Sequence, residues 1–184
     1  MKIRVSKPSD KPQLQYICAK TARDKRFQEN QTLVSLLYCD YYIDNQSEHC
    51  FVIADDNDLA VGYILCDIDY NNYKIAVKPY IKQAKKLSLK DYIGHVSETL
   101  YLNKIYTKYP CHMHIDILPE YQGKGYGKEL IRTLQSHLKK LQIPTLRLTV
   151  GIDNPSAIGF YNHLGFEKVK NIFNNAYVLV VKNY

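Results

Sequence analysis

Three titratable residues, His112, His114 and Asp116, occupy every second position of the stretch CHMHIDIL. Its alternation of apolar and polar residues is typical of a strand, and alternate residues of a strand point to the same face. The stretch therefore predicts two imidazoles and a carboxyl group on one face. Three interpretations stay open from the residues alone: an acid–base site, hydrogen-bonded polar residues lining a cleft, and a metal site. The metal site is the least favoured, because nothing else in the chain supplies a fourth ligand.

Glycines at positions 123, 125 and 127 follow this strand, in the stretch YQGKGYGKEL. Glycine loses more backbone freedom on folding than any other residue, so three in five positions need a reason. A helix is predicted to start near Gly125, and a helix N-terminus offers unpaired N–H groups and a positive dipole end to an anion. The cluster indicates a phosphate-binding loop, with a tight strand-to-helix turn as the alternative interpretation.

Two common phosphate-binding loops do not fit this spacing. A P-loop requires G-x-x-x-x-G-K-[ST], whereas the stretch from Gly123 to Gly127 is one residue short and Lys128 is followed by Glu129. A dinucleotide-binding fingerprint requires G-x-G-x-x-G early in a strand–helix–strand unit, whereas this G-x-G-x-G pattern comes late in the chain. The sequence therefore predicts a phosphate loop of a different kind.

Length and composition limit the class of protein. A chain of 184 residues fits one domain, and 46% hydrophobic with 23% charged residues is an ordinary globular balance. No stretch approaches the roughly 20 apolar residues of a membrane helix, and the N-terminus lacks the apolar run of a secretory signal, so a cytoplasmic location is expected. The five cysteines are scattered and odd in number, which predicts reduced, mostly buried thiols.

The elements that position the candidate residues alternate between strand and helix. A first strand is predicted at Lys2 to Val5, followed by a helix with Ser9 or Asp10 as its N-cap. A hairpin is predicted from CFVIAD and LAVGYILCDID, which Asp55 to Asp58 separate. A second helix is expected from about Gln31 to Tyr42. One face of the first helix is predicted to hold Leu14, Ile17, Cys18 and Thr21.

The part of the chain after the glycines is predicted to be helix, strand, helix and two strands. A helix stops before Pro144 and has one apolar face, formed by Leu130, Ile131, Leu134, Leu138 and Leu141. The strand TLRLTV places Leu146, Leu148 and Val150 on one side. Asn154 and Pro155 start a helix that runs to Leu164, with Gly165 in the C′ position. The two last strands begin near Phe166 and within AYVLVV, and a turn at Asn174-Asn175 joins them.

Positive charge is concentrated between residues 71 and 109, a segment predicted to be helical with loops. It contains eight lysines against Asp91 and Glu98, which is +6 of the chain's formal net charge of +7. The segment is also rich in tyrosine. A solvated helix face is one interpretation; an anionic substrate or an acidic protein surface as partner is another. Nucleic acid is not expected as a partner, because no recognised binding motif is present.

The glycine loop and a second motif together resemble one family. Gln122-Gly123-Lys124-Gly125-Tyr126-Gly127 fits the pattern Q/R-x-x-G-x-G/A and, with its flanking strand and helix, resembles the pyrophosphate loop of GNAT acetyltransferases. The family's second signature is similar to Asn154-x-x-Ala157, Phe160-Tyr161 and Leu164-Gly165-Phe166. The order of predicted strands matches as well, so the resemblance covers nearly the whole chain. It implies an α/β (α+β) GNAT fold, in which helices flank a mixed, mostly antiparallel sheet.

A closer likeness lies in YPCHMHIDILPEYQGKGYG, CFVIAD and GYILCDID. These stretches resemble the acetyltransferase-like domain at the C-terminus of O-GlcNAcases and its stand-alone bacterial relatives. That branch shares a long insertion before the strand of His112, here at about 71–109. The resemblance implies one domain over residues 1–184, with a helical insertion before the cofactor-binding strand.

The family also implies a reaction and a set of site residues. An acetyl group moves from acetyl-CoA to a primary amine; Tyr161 is the expected general acid, and one of His112, His114 and Asp116 the expected base. No metal is expected. The residues implied to bind acetyl-CoA are Ile115, Ile117, Leu118, Gln122, Gly123, Lys124, Gly125, Tyr126, Gly127, Lys128, Asn154, Ala157 and Phe160.

The rival interpretation is a non-catalytic module on the same scaffold, which would recognise an acidic or glycosylated partner through the insertion. The acceptor is open among aminosugars, polyamines, peptide N-termini and protein lysines. No membrane partner is expected, and both a monomer and a homodimer are open.

Overall fold

Seven strands pair into one sheet in the computed structural model, which describes residues 1–172 and 175–183. The order of strands across the sheet is β1-β2-β3-β4-β5-β7-β6. The strands are β1 Lys2–Val5, β2 Phe51–Ala54, β3 Ala60–Asp67, β4 His112–Ile117, β5 Thr145–Gly151, β6 Glu167–Ile172 and β7 Ala176–Lys182. All of these strands lie where the apolar patterns predict them. Asn174, half of the predicted turn at Asn174-Asn175, lies outside the described residues.

Neighbouring strands are antiparallel except β4 and β5, which are parallel. β4 pairs with β3 over six positions, whereas β4 and β5 pair only at His112 with Arg147. β5 in turn pairs with β7 along its whole length. The predicted mixed, mostly antiparallel sheet is confirmed, and the single paired position means that β4 and β5 part from each other after His112.

Nine α-helices flank the sheet within the described residues. They are α1 Lys11–Thr21, α2 Lys25–Glu29, α3 Gln31–Tyr38, α4 Asp40–Asn45, α5 Tyr70–Ala76, α6 Lys78–Leu87, α7 Leu89–Lys108, α8 Tyr126–Lys140 and α9 Pro155–His163. Side chains of α3, α4 and α5 contact the His112 face of β4, and α8 and α9 meet its opposite face at Ile117. The core forms where these helices cover the sheet.

Three helical predictions differ from the structure in detail. The helix expected from Gln31 to Tyr42 is two helices, because the backbone of Cys39 departs from helical geometry (φ −131°, ψ −57°). Leu141 lies just beyond the end of α8 and is 42% exposed, so it does not extend the apolar face. Asp10 does precede α1, but its carboxylate is held by Arg4 at 2.7 and 2.9 Å and does not cap the helix.

The basic insertion is helical over almost its whole length, as α5, α6 and α7. Side chains cap two of these helices: Asp69 accepts from the backbone N–H of Asn71 at 2.9 Å, and Ser88 from that of Asp91 at 3.3 Å. α6 buries Ile81 and Ala84 and exposes its four lysines, Lys78, Lys82, Lys85 and Lys86. The insertion is therefore an amphipathic helical layer packed on the rest of the fold.

The cysteine prediction is also confirmed, since all five thiols are free and buried. Across the described part of the chain, no helix has the length and apolarity needed to cross a membrane.

Gly62 allows β3 to approach β4 closely beside the candidate residues. A Cβ built on Gly62 would lie 2.9 Å from Cγ1 of Ile117 and 3.1 Å from the backbone oxygen of Asp116. Gly94, in the middle of α7, has open space around the same position. Alanine should therefore have opposite effects at the two glycines.

We expect Gly62→Ala to lower the free energy of unfolding by about 1–3 kcal/mol, because the added methyl group overpacks the sheet. Gly94→Ala should raise it by about 0.5–1 kcal/mol, because alanine is the better helix former. Urea denaturation of both variants measures these changes. A Gly62→Ala protein as stable as the parent would show that the approach of β3 and β4 can relax at no cost.

Candidate functional site

Beyond the pair of His112 with Arg147, no described strand pairs with the edge of β4 that faces β5. The N–H of Leu118 donates to the backbone oxygen of Val61 at 3.0 Å. Hydrogen-bonded pairs alternate along an antiparallel ladder, so Leu118 and every second residue of β4 before it form their backbone hydrogen bonds with β3. The N–H and C=O groups of the intervening residues, Ile115 and Ile117, therefore point towards β5. At the start of the edge Arg147 N–H donates to Cys111; after that point β5 has turned away. A ligand with amide groups could pair with this edge like an added strand.

The glycine loop brings a helix N-terminus to the end of this edge. Gly123 and Gly125 have φ of 72° and 88°, a left-handed conformation that favours glycine, and neither would have an atom within 4 Å of an added Cβ. No side chain caps α8, whereas Asn154 caps α9 and Ser88 caps α7. The first N–H groups of α8 are thus left for an anion.

The third glycine has a different role. A Cβ on Gly127 would lie 3.2 Å from Cζ of Phe160 and 3.7 Å from Cδ1 of Ile117. Gly127 is therefore required by the contact of α8 with α9 and β4, not by the approach of a ligand. This contact unites the three segments that carry the sequence motifs.

The other residues implied to bind acetyl-CoA surround the same point. Gln122 Nε2 donates to the oxygen of Ile117 at 2.7 Å, which ties the loop to β4. Asn154 Oδ1 accepts from the N–H of Ala157 at 3.2 Å, so its role as a helix cap is confirmed. Leu118 is buried, Tyr126 and Lys128 are half-buried, and Lys124 is exposed with its Nζ 5.3 Å from the ring centre of Tyr121.

His112, His114 and Asp116 share one face of β4, as predicted. The ring of Tyr42 contacts both imidazoles, with centroids 5.6 Å from His112 and 5.3 Å from His114. The Tyr63 hydroxyl donates to Oδ2 of Asp116 at 2.5 Å. On the opposite face Met113 is buried, and Ile115 and Ile117 are half-buried and pack against the core. The parting of β5 from β4 uncovers them.

Burial separates the pKa values of the three titratable residues. Burial, assisted by the positive charge of Arg147, holds the pKa of His112 well below its usual value and lowers that of His114 to about 4. Burial raises the pKa of Asp116 to about 6, although the Tyr63 and Thr21 hydroxyls act in the opposite direction. At pH 7 the imidazoles are neutral and Asp116 is mostly ionised, so Asp116 is the strongest proton acceptor of the three.

Tyr161 lies on α9, next to Phe160, and packs against the ring of Phe166 at 5.5 Å between centroids. Burial raises the pKa of its hydroxyl, and the negative charge of Asp116 raises it further. The described residues provide no hydrogen-bond partner for this hydroxyl. Tyr161 therefore keeps its proton at neutral pH and can donate it within the electrostatic reach of Asp116.

The sequence patterns do not indicate a role at this site for two residues, Tyr63 and Arg147. Tyr63 was placed only in a hairpin strand, because its contact with Asp116 depends on the register between β3 and β4. Arg147 lies between the predicted apolar positions Leu146 and Leu148, yet it is 4% exposed and lines a cavity of about 540 Å³ with His112 and His114. A charged residue in the middle of an apolar strand was the available signal for Arg147.

A second cavity, of about 860 Å³, lies among α5, α6 and α7, and shares Tyr73, His95 and Thr99 with the first. Over the described ranges, no group of three His, Cys, Asp or Glu residues is arranged to hold a metal ion.

Known proteins share this architecture. The crystal structure of SsHAT superposes with a TM-score of 0.88 over 100% of this chain and 98% of that protein, at 23% sequence identity. At that identity the similarity demonstrates the fold alone.

Curated relatives match in sequence over shorter stretches. Spermidine N(1)-acetyltransferase of Vibrio cholerae is 36% identical over 78 residues, which are 42% of this chain and 43% of that protein. An acetyltransferase of Yersinia pestis is 30% identical over 71 residues, 39% of this chain and 50% of the relative. The chain thus spans half or less of the length of these curated relatives.

A family model matches most of the chain. The match covers residues 14–166, from the first apolar position of α1 to the residue that follows Gly165, and it includes the glycine loop and α9. The family it describes is the acetyltransferase (GNAT) family. Because the match spans most of the chain, the chain belongs to the acetyltransferase (GNAT) family.

Proposed function

We propose that residues 1–184 form a single domain that transfers an acetyl group from acetyl-CoA to a primary amine. The observation that carries the proposal is the meeting of the uncapped N-terminus of α8, the unpaired edge of β4 and the Tyr161 helix at the contact between Gly127, Phe160 and Ile117. Membership of the acetyltransferase (GNAT) family supports it.

The arrangement fits acetyl-CoA in parts. The pyrophosphate would accept hydrogen bonds from the N–H groups of the loop between Gly123 and Lys128, where nothing fills the space beside Gly123 and Gly125. The pantetheine arm would pair with the backbone of Ile115 and Ile117 along the β4 edge. Phe160, Ala157 and Leu118 would supply apolar contacts. Gln122 acts indirectly, because its side chain holds the loop against Ile117.

The side chains can perform the proton transfers that aminolysis of a thioester requires. An aliphatic amine with a pKa of about 10.4 must lose a proton before it attacks, at a cost of roughly 4–5 kcal/mol at pH 7. Asp116 is the proposed acceptor of that proton, directly or through a water, with His114 as a neutral relay. Tyr161 is the proposed donor to the departing thiolate. The N–H groups of the β4 edge would stabilise negative charge that develops on the carbonyl oxygen.

The class of acceptor and the branch of the family to which the chain belongs are also proposals. The name of the Vibrio cholerae relative points to polyamines as one class of acceptor. The helical insertion α5 to α7 is consistent with the likeness to the acetyltransferase-like domain of O-GlcNAcases. A non-catalytic module on the same scaffold would have no need of an uncapped α8, and the open loop favours the enzyme.

Calorimetric titration with acetyl-CoA tests the loop. We expect the parent to bind and Gly125→Val to lose at least about tenfold in affinity, or about 1.4 kcal/mol, because valine is strained at φ 88° and fills the space of the pyrophosphate. Gly94→Val, on the exposed side of α7, is the matched control and should bind as the parent does. Equal affinities for the parent and Gly125→Val would remove the loop from the site.

Tyr161→Phe tests the proton donor. The phenyl ring keeps the packing against Phe166, so acetyl-CoA binding should be unchanged. Loss of a positioned acid should lower kcat by about 100-fold or more, because the proton is needed only as the bond breaks. Release of free CoA with an amine found by screening measures the rate. Unchanged turnover with rate-limiting chemistry would make Tyr161 a core aromatic only.

The pH profile tests the base. If ionised Asp116 accepts the proton, log(kcat/KM) should rise with pH one unit more steeply below about pH 6 than above it, because the carboxylate protonates there. In Asp116→Asn this break should disappear and the rate should fall. Asp56→Asn, a change at an exposed residue in the turn between β2 and β3, should keep the break. A break that persists in Asp116→Asn would assign the titration to another group.

A further inference from the structure

Arg147 is a buried cation that forms no ion pair with any residue that the structure describes. Its side chain is almost fully enclosed, with the guanidinium carbon 3.6 Å from the ring centre of Tyr106 and Nε donating to the oxygen of Tyr109 at 2.7 Å. Among the residues that the structure describes, no carboxylate lies within 4 Å of its nitrogens, and Nη1 and Nη2 make no hydrogen bond. Burying an unpaired charge disfavours folding, so a structural role alone does not account for it.

Arg147, whose Nη1 and Nη2 make no hydrogen bond with the described residues, forms part of the wall of the 540 Å³ cavity. None of the described residues that line this cavity forms an ion pair with it. His112 and His114 are neutral at pH 7, because burial lowers the pKa of both. Glu98 also lines the cavity and its charge interacts with that of Arg147, but its carboxylate is not within ion-pair distance of the guanidinium and accepts from the Tyr106 hydroxyl at 3.0 Å.

The mouth of the cavity carries charges of both signs. Arg26, Lys90 and Asp91 lie there, and Arg26 pairs with Asp91 at 3.5 Å. His95 also lines the cavity, and burial lowers its pKa. The inner end, with Arg147 facing two neutral imidazoles, is therefore the part of the cavity suited to an anion.

The cavity runs beside β4 towards the proposed base. Arg147 is level with His112, and the wall includes His114, two residues before Asp116. Asp116 is four residue steps along the strand from His112, which at about 3.3 Å a step is about 13 Å. One elongated molecule can therefore reach the guanidinium with one end and the acetyl-transfer point with the other.

We propose that Arg147 binds a carboxylate of the acetyl acceptor, so that the acceptor is a peptide-like amine with its carboxylate about 10–13 Å from the amine. This inference rests on the proposed acetyl transfer. A guanidinium presents two parallel N–H groups that match the two oxygens of a carboxylate. An extended chain of three or four residues covers that distance, at about 3.3–3.6 Å a residue. A polyamine of the spermidine kind would place a cation against Arg147 and is a poor acceptor on this account.

Binding of product-like peptides tests the inference without catalysis. The probes are N-acetyl-tetra-alanine and its C-terminal amide, which differ only in the carboxylate, titrated calorimetrically with and without CoA at 0.15 M salt. We expect the acid to bind at least about tenfold tighter than the amide, and spermidine to compete with neither. Equal affinities for the acid and the amide in the parent would overturn the inference, whatever the variants do.

Arg147→Met identifies the group responsible. The acid and the amide should bind this variant equally, and its Tm should be no lower than that of the parent, because methionine replaces a buried unpaired charge. Lys82→Met removes a lysine that lines the other cavity and should keep the preference for the acid. A preference that survives Arg147→Met, or disappears in Lys82→Met, would overturn the assignment.

Titration with acetyl-CoA separates this inference from the proposed function. If the parent binds acetyl-CoA but binds the acid and the amide with equal affinity, the proposed acetyl transfer stands and the Arg147 subsite is excluded. If the parent binds the acid more tightly but does not bind acetyl-CoA, Arg147 stands as a carboxylate site and the proposed acetyl transfer is excluded. The ligand would then no longer be described as an acetyl acceptor.

Discussion

β4 and β5 share one paired position, His112 with Arg147, and the parting of the two strands after it determines where chemistry is possible. The gap leaves backbone groups of Ile115 and Ile117 without a partner strand along the edge of β4 that faces β5. Along one face of β4 runs the cavity of His112, His114 and Arg147. If the strands stayed paired, the edge would be closed by β5, and no ligand could pair with the backbone in the middle of the sheet.

The remaining elements hold that gap in place at two points. β3 fixes β4 over six paired positions, and the absence of a side chain at Gly62 allows the close contact with Ile117. At the far end, Gln122 bonds to Ile117, and Gly127 admits the ring of Phe160. Glycine therefore serves two purposes in the loop, conformation at Gly123 and Gly125, and packing at Gly127.

Burial gives chemically similar groups different roles on the two sides of the gap. It keeps the imidazoles of His112 and His114 neutral, raises the pKa of Asp116 to about 6, and keeps the Tyr161 hydroxyl protonated. A proton acceptor and a proton donor thus coexist near neutral pH. The helices of the insertion contribute to this environment, because Tyr73, His95 and Glu98 close the cavity from above β4.

Local sequence determined the elements and most of the motif geometry. Apolar stretches located the strands, the spacing of Leu130 to Leu138 located α8, and Asn154 with Pro155 located the start of α9, because these signals act between residues close in the chain. The shared face of His112, His114 and Asp116 follows from the period of a strand alone. The same local rules missed the break at Cys39, which depends on what packs against it.

Only the tertiary structure decided the contacts between distant segments. The hydroxyl of Tyr63 on Asp116, the ring of Phe160 over Gly127 and the burial of Arg147 join residues tens of positions apart. Their positions follow from strand register and from the way the insertion folds back over the sheet, and no local pattern encodes either. The pKa values follow in turn, because desolvation is a property of the assembled surroundings and not of the residue itself.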